Sequence, residues 1–343
     1  MPTAPTAPNR AGRVESGPAA LSPARPRVVL AVNPTSGRGR GGRAGELAAT
    51  RLRAAGVDVE VLSGSSAAEA ARLIRACVVP AGRPGTGAEE AEPRLDALVV
   101  VGGDGMVNLG VTSTAGRGVP LGIVPAGTGN DVARMLSLPL NDPHAAVGNL
   151  LACLGERRHR DVDAVRCAWT TSDGPASRWF AGVLAAGFDA VVNERANGWS
   201  RPRGRLRYPL ALARELPVFR PIEYELELDG VRVDTAAMLI TVANSPSYGG
   251  GMKVCPGALP DDGLLDVMIV HPLSRVQFVR IFPRVYSGTH INHPAVAIHH
   301  ARHVRIGAAG IVGYADGERF GPLPMTCEVV PGALRMLAPV PPR

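Results

Sequence analysis

Lysine is almost missing from this chain. All but one of its 37 basic residues are arginine, the exception being Lys253. That excludes a Walker phosphate loop and a protein-kinase strand lysine, each of which needs lysine in a context that position 253 does not offer. Cysteine is scarce as well: Cys77, Cys153, Cys167, Cys255 and Cys327 never fall in a CxxC spacing. A zinc ribbon and a disulfide framework are therefore excluded, and reduced core thiols are expected. Aromatic residues make up only 4% of the chain, and no nucleic-acid-binding module is recognisable, so nucleic acid is not an expected partner. Long apolar runs are missing too. The longest, at 97–101 and 236–242, fall far short of the roughly 18 to 20 residues that cross a bilayer. A cytoplasmic protein without a membrane span is expected.

What is present suits a folded, two-domain molecule. The 343 residues are 45% hydrophobic, enough for a sizeable core. The net charge of +7 favours acidic ligands such as phosphates or anionic lipid. Residues 1–26 and 339–343 are rich in proline and read as disordered tails. Over 27–157, short Val/Leu/Ile runs alternate with Ala-rich amphipathic stretches, the pattern of βαβ units around a parallel sheet. Strands are expected near 28–32, 57–62, 95–101 and 120–124, with helices near 41–55, 66–78, 106–115 and 130–137. Residues 80–93 carry no periodicity and read as a surface insertion. Over 158–338 the texture becomes that of a second, antiparallel, β-rich domain, with Asp229-Gly230 as a hairpin turn and a helix near 274–286.

Three expected strands end in phosphate-loop chemistry. The first runs into Asn33-Pro34-Thr35-Ser36-Gly37, the third into Gly102-Gly103-Asp104-Gly105, and the fourth into Pro125-Ala126-Gly127-Thr128-Gly129-Asn130-Asp131. Ligands of open α/β sheets bind at those carboxyl ends. Gly37, Gly39 and Gly42 also satisfy GxGxxG, with Asp58 downstream, so a nicotinamide-dependent dehydrogenase stands as an alternative. Without lysine, the nucleotide site has to be made of backbone amides, hydroxyls and carboxylates, and a carboxylate would hold Mg²⁺ on the phosphates.

In order along the chain, NPTSG, GGDG, PAGTGND, GGGMKVCPGALPDDGLLDV and YADGE resemble the diacylglycerol kinase catalytic family, the soluble bacterial lipid kinases. The resemblance implies a Rossmann-like nucleotide-binding domain, similar to those of NAD kinase and phosphofructokinase, plus a β-rich domain whose last strands return toward the first. It implies an ATP- and Mg²⁺-dependent kinase that phosphorylates the hydroxyl of diacylglycerol to give phosphatidic acid. Sphingoid, ceramide-type or other lipid acceptors, and a catalytically weak nucleotide-binding regulator, stand as alternatives.

Carried over by residue, the resemblance assigns ATP contacts to Asn33, Pro34, Thr35, Ser36, Gly37, Gly103, Asp104, Gly105, Met106, Val107, Asn108, Thr128, Asn130 and Asp131. Asp104 and Asp131 would order the triphosphate and its Mg²⁺. The family has a threonine where this chain has Met106 and usually a glutamate where it has Leu109, so Met106 is expected to offer main-chain contacts only. Ser63 is the nearest candidate for a threonine the family carries near the second strand end. A structural Mg²⁺ loop is implied at Asp262, with the carbonyls of Leu259 and Leu264. Glu318 is implied as general base, with Asp316 as its partner or alternative; a lipid hydroxyl has a high pKa and needs a carboxylate to take its proton.

A lipid substrate at a membrane surface implies peripheral association with the inner face of the membrane. Arg195, Arg201, Arg203, Arg205, Arg207, Arg214 and Arg220, with Trp199, Tyr208 and Phe219 among them, are expected to form an interfacial patch, a solvated basic face being the alternative. Lys253 is read as a site needing a compact ammonium. His290, His293, His299, His300 and His303 are expected to be surface or core histidines rather than metal ligands. A homodimer is compatible with the family.

Overall fold

The computed structural model describes residues 25–64, 66–78, 95–199 and 207–339. The tail expected at 1–26, apart from its last two residues, lies outside them, as do the insertion at 80–93 and 340–343 of the second tail. The first half runs β1 (Arg27–Val32), α1 (Ser36–Ala54), β2 (Asp58–Ser63), α2 (Ala67–Cys77), β3 (Ala97–Gly102), α3 (Asp104–Thr114), β4 (Leu121–Pro125), α4 (Asp131–Met135) and α5 (Pro143–Gly155). Its strands lie parallel in the order β4-β3-β1-β2.

Every residue of β3 is buried, because helices cover both faces of the sheet and neither face needs a polar stripe. Leu98 and Val100 meet Ile74, Val107 and Val111 on one side, while Val99 and Val101 meet Leu52, Val147 and Leu150 on the other. The regular part of α1 begins where the sequence places it, since Gly37, Arg38 and Gly39 are left-handed (φ 56°, 62° and 87°). Helix α5 was not expected. Its signal is Asp142-Pro143: the Asp142 carboxylate accepts from the Ala145 amide at 3.0 Å and proline occupies the first turn, a standard helix start.

The second half runs β5 (Arg160–Thr171), β6 (Gly174–Phe180), β7 (Val183–Gly187), α6 (Phe188–Gly198), α7 (Arg207–Glu215), β8 (Ile222–Leu228), β9 (Val231–Arg232), β10 (Thr235–Ala237), β11 (Leu239–Ala243) and β12 (Leu265–Val270). It continues through α8 (Arg275–Ile281), two 3₁₀ turns (Phe282–Tyr286 and Thr289–Asn292), β13 (Val296–Ala301), β14 (His303–Gly307), β15 (Val312–Ala315), β16 (Glu318–Pro322) and β17 (Met325–Met336). Asp229 and Gly230 join β8 to β9, both at positive φ (48° and 85°), as a two-residue hairpin turn requires. Six strands make an antiparallel sheet in the order β13-β12-β11-β7-β15-β16.

The remaining strands extend the first sheet. β17 is antiparallel to β14 and β5, and at Met336 it pairs in parallel with Leu121 of β4. The two sheets face each other across an apolar core that includes Phe180, Leu184, Leu226, Val242 and Cys327. Asn244 fastens them, its side-chain amide donating to the Asp163 and Ala181 carbonyls at 3.1 and 3.0 Å.

A methyl group on Gly127 would collide with the Cα of Gly103, and backbone cannot step aside as a side chain does. Gly127→Ala is expected to cost about 1–3 kcal/mol. Gly148 lies inside α5 with nothing within 4 Å of where a methyl would stand, so it should tolerate alanine and gain up to about 1 kcal/mol. Thermal unfolding of the two variants tests the contrast.

Candidate active site

The ends of β1, β3 and β4 are locked to one another. Asn33 Oδ1 accepts from the Thr35 amide at 3.1 Å and the Thr35 hydroxyl at 2.8 Å, which turns the chain back after β1. A side chain at Gly37 would meet the Ala126 carbonyl, so only glycine lets the first loop reach the third. Arg40 completes the tie, donating from Nε to the Gly37 carbonyl (3.1 Å) and from Nη2 to the Gly127 carbonyl (2.9 Å). Thr35 and Thr128 stand exposed on the resulting rim.

Asp104 holds the third and fourth strand ends together. Its Oδ2 accepts from the Asn130 amide at 3.0 Å and its Oδ1 from the Asp131 amide at 2.8 Å. Asn130, left-handed at φ 54°, takes the Gly127 amide on Oδ1 (3.0 Å) and donates Nδ2 to the Gly127 carbonyl (3.2 Å). Both side chains thus shape the loop. Asp131 reaches across to the second half: its Oδ1 accepts from the Gly250 amide at 2.9 Å. Burial, and then the neighbouring charge of Asp104, raise the Asp131 pKa against the lowering effect of the Gly250 and Gly249 amides.

The second half contributes the hairpin between β15 and β16. Asp316 and Gly317 are its two turn residues, at φ 50° and 82°, the backbone of a tight Asp-Gly turn. The side chain does more. Asp316 Oδ2 accepts from the Ala181 amide (3.0 Å), and Oδ1 accepts from Gly182 (3.1 Å) and Val183 (3.0 Å). Burial pushes its pKa up to about 6; the Ala181 and Val183 amides oppose that rise, and the charges of Asp104 and Asp131 add to it. Glu318 opens β16, with Oε1 2.8 Å from where a Cβ on Gly105 would stand. No hydrogen bond to another described residue occupies this carboxylate, so Glu318 faces the GGDG loop with its oxygens available.

Several expected contacts take a different form. Met106 and Val107 lie in the core beside Leu98, Val100 and Ile123, and both their amides donate to the Gly103 carbonyl (3.0 and 3.1 Å). They offer a nucleotide neither side chain nor free N–H, and Leu109 also packs on that core. Asn108, buried, accepts on Oδ1 from Arg178 Nη2 at 2.8 Å. Arg178 also donates to the Arg319 carbonyl at 3.0 Å and lies over the Phe320 ring, joining α3 to β16. Asp316, accepting from three amides, holds the hairpin to the 181–183 turn. Lys253 is exposed.

Arg40, Arg178 and the Gly250 amide are the site residues that sequence reasoning missed. Arg40 stands in an arginine-rich run without distinction, and the other two act across more than 60 positions of sequence. Of the arginine patch, Arg201, Arg203 and Arg205 lie outside the described residues. His290 is buried and donates a ring nitrogen to the Val254 carbonyl at 3.0 Å. No group of three or more His, Cys, Asp or Glu suited to a metal is found among the described residues.

At the expected cation loop, Asp262 Oδ1 accepts from the Leu264 amide (3.0 Å) and Leu259 is exposed. Nearby, Asp163 accepts from Gly263 (2.7 Å) and Gly332 (2.8 Å), and its pKa is raised by burial and by the charges of Asp262 and Asp261. A donor set of one carboxylate with main-chain carbonyls, in a negative neighbourhood, fits a hard cation that keeps much of its water.

Behind the junction lies an apolar cavity. Phe188, Met252, Met268, Phe278, Phe282 and Val285 are among its walls. Asp189, which also faces it, accepts from the Tyr248 hydroxyl at 2.8 Å, and burial pushes its pKa up to about 6. One loop separates cavity from junction: Met252 lines the cavity, and Gly250 of the same loop binds Asp131.

Residues 27–167 match the family described as diacylglycerol kinase catalytic domain, and 182–338 match the YegS C-terminal NAD kinase beta sandwich-like domain. A diacylglycerol kinase of Mycobacterium tuberculosis is 38% identical over 91% of this chain and 95% of its own length. The chain belongs to the diacylglycerol kinase catalytic family. A diacylglycerol kinase of Bacillus subtilis is 29% identical over 69% of this chain and 75% of its own. A crystal structure of a diacylglycerol kinase from Bacillus anthracis shares the fold, with a TM-score of 0.64 at 19% identity, covering 91% of this chain and 97% of that one. Membership of a kinase family implies ATP as a substrate.

Two of these carboxyls can be tested one at a time. Asp104→Ala leaves the Asn130 and Asp131 amides unpaired and should cost about 1–3 kcal/mol, measured by chemical denaturation. Asp189 has a folded pKa of about 6 against an ordinary value of 3.8. Between those values the folded state binds more protons than the unfolded one, so its contribution makes stability fall as pH rises and levels off above pH 6. Asp189→Asn should remove that slope, at most roughly 1.4 kcal/mol per pH unit, in unfolding free energies compared between pH 4 and 6.

Proposed function

We propose that the protein is an ATP- and Mg²⁺-dependent lipid kinase that transfers the γ-phosphate of ATP to the hydroxyl of diacylglycerol, giving phosphatidic acid. The observation that carries this reading is the position of Glu318: a carboxylate with no hydrogen bond to another described residue, set over Gly105 of a glycine-rich loop, with an apolar cavity beyond the adjoining loop. The Gly37 amide, the hydroxyls of Thr35 and Ser36 and the exposed Thr128 would hold the phosphates of MgATP, on the loop that Asn33 and Pro34 shape. Asp131 would stand beside them, and Asp104 would keep its loop in shape. The lipid hydroxyl would enter between Glu318 and the γ-phosphorus. As its oxygen forms the new P–O bond, Glu318 accepts its proton and the β–γ bridging bond breaks toward ADP. Fixed amides around the transferred group are already oriented for the charge that develops there.

Magnesium carried by ATP would neutralise phosphate charge during transfer. A second, structural ion would be held by Asp262 with the Leu259 and Leu264 carbonyls, bracing the loop before β12. The cavity supports an acyl chain as the part of the acceptor that is bound by burial, and it suits a lipid far better than a soluble alcohol. Met106 and Leu109 add packing where a hydroxyl and a carboxylate are usual in the family, so turnover would rest on the remaining loop groups and on Glu318.

Incubation with γ-labelled ATP and a panel of lipids in mixed micelles tests the reading. Label is expected in phosphatidic acid; ATP binding with no label on any lipid would overturn it in favour of a regulator, and label on sphingoid or ceramide acceptors would move the assignment to those lipids. Glu318→Gln should lower kcat by about 10²–10⁴ while leaving ATP affinity within a few-fold, measured by turnover and by calorimetric titration.

A further inference from the structure

The segment from α8 through the second 3₁₀ turn is apolar on both of its faces. Phe278, Ile281, Phe282, Val285 and His290 turn inward and line the cavity. Val276, Val279, Tyr286 and Ile291 turn outward, with 61, 51, 57 and 36% of their surface exposed. These are four of the nine exposed large hydrophobic residues among the described residues, gathered within 16 positions. A helix on the surface of a water-soluble domain ordinarily shows water a polar face. An element that is greasy inside and out is built to have something apolar on its outer side as well.

Charge identifies that covering. Arg275, Arg280 and Arg284 are exposed on the same segment, and the sequence has no aspartate or glutamate from 267 to 315. A second copy of this chain docked on the segment by two-fold symmetry would set arginine against arginine with no carboxylate of the segment itself between. The covering is therefore both apolar and anionic, which describes the interfacial zone of an anionic phospholipid bilayer.

We propose that the α8 face, from Arg275 to Ile291, is the surface by which the protein docks on anionic membranes, and that it roofs the cavity so that a lipid chain passes from bilayer to cavity beneath it. The valines, Tyr286 and Ile291 sit among the headgroups and the first methylenes, and the three arginines pair with lipid phosphates. This assigns docking to the α8 face and not to the arginine patch around Arg214 and Arg220. The passage of substrate rests on the lipid-kinase reading; the docking itself does not.

Flotation of the full chain with vesicles tests it, using phosphatidylcholine alone and phosphatidylcholine with phosphatidylglycerol. The wild-type chain should float with the anionic vesicles and not with the neutral ones. The V276D/V279D variant, changed only at exposed positions, should partition at least about 10-fold less. R275Q/R280Q/R284Q should lose about 5-fold per arginine, whereas R214Q/R220Q should change partition less than about 2-fold. Wild-type melting temperatures confirm that the variants are folded, and a Val279→Trp variant should shift its emission to the blue on anionic vesicles. The docking proposal fails if the wild-type chain floats with neither vesicle or equally with both, if V276D/V279D floats like the wild type, or if that variant instead dissociates a dimer in size-exclusion chromatography. Label transfer by the wild-type chain to a short-chain, water-dispersed acceptor tests the kinase reading separately, so either idea can fall alone.

Discussion

β17 does the joining on which the site depends. It lies antiparallel to β5 through a register shift between Val330 and Leu334, and finishes parallel to β4 at Met336 and Leu121. The chain end is thereby sewn into the first sheet, and Asp163, at the start of β5, accepts the Gly332 amide where β17 bends. Because β15 and β16 sit just before β17 in sequence, this return brings their hairpin to the strand ends that carry Asp104 and Asp131. Without it, the two sets of carboxylates would belong to separate bodies.

Those carboxylates are held close in a setting that penalises charge. Asp131 and Asp316 are both shifted upward, with burial the larger cause in each and the mutual charges of the acidic set adding to it. Backbone amides answer each one: Gly250 for Asp131, Asn130 and Asp131 for Asp104, and the 181–183 turn for Asp316. Amides supply partial positive charge at fixed positions without a counter-ion that could compete for phosphate. That is how a site with no lysine at its phosphate loops can be acidic and still keep its shape.

The strand ends were legible from sequence because β1, β3 and β4 are short runs of buried aliphatic residues, each broken by glycine, and three such breaks in register leave few other folds. The DGE hairpin was legible only through its resemblance to a family, since an Asp-Gly turn reads the same wherever it stands. What could not be read was occupancy. Nothing in the sequence shows that Asp104 is already bonded to two amides 26 and 27 positions away, or that Met106 turns into the core, because both follow from how α3 seats against β4. Helix α5 is marked in the sequence by little more than its start signal, Asp142-Pro143, since its Ala- and Leu-rich run has no charged residue to set one face apart.

The loop from Tyr248 to Met252 has one property with a wider reach. Gly249, Gly250 and Gly251 are all at positive φ (61°, 80° and 110°), a run of conformations that residues with side chains rarely adopt. At these three glycines the partition between greasy chamber and strand-end loops is therefore bare peptide chain, while Tyr248 and Met252 at its two ends turn into the chamber. Molecules on its two sides would feel each other through the stiffness of that single thread.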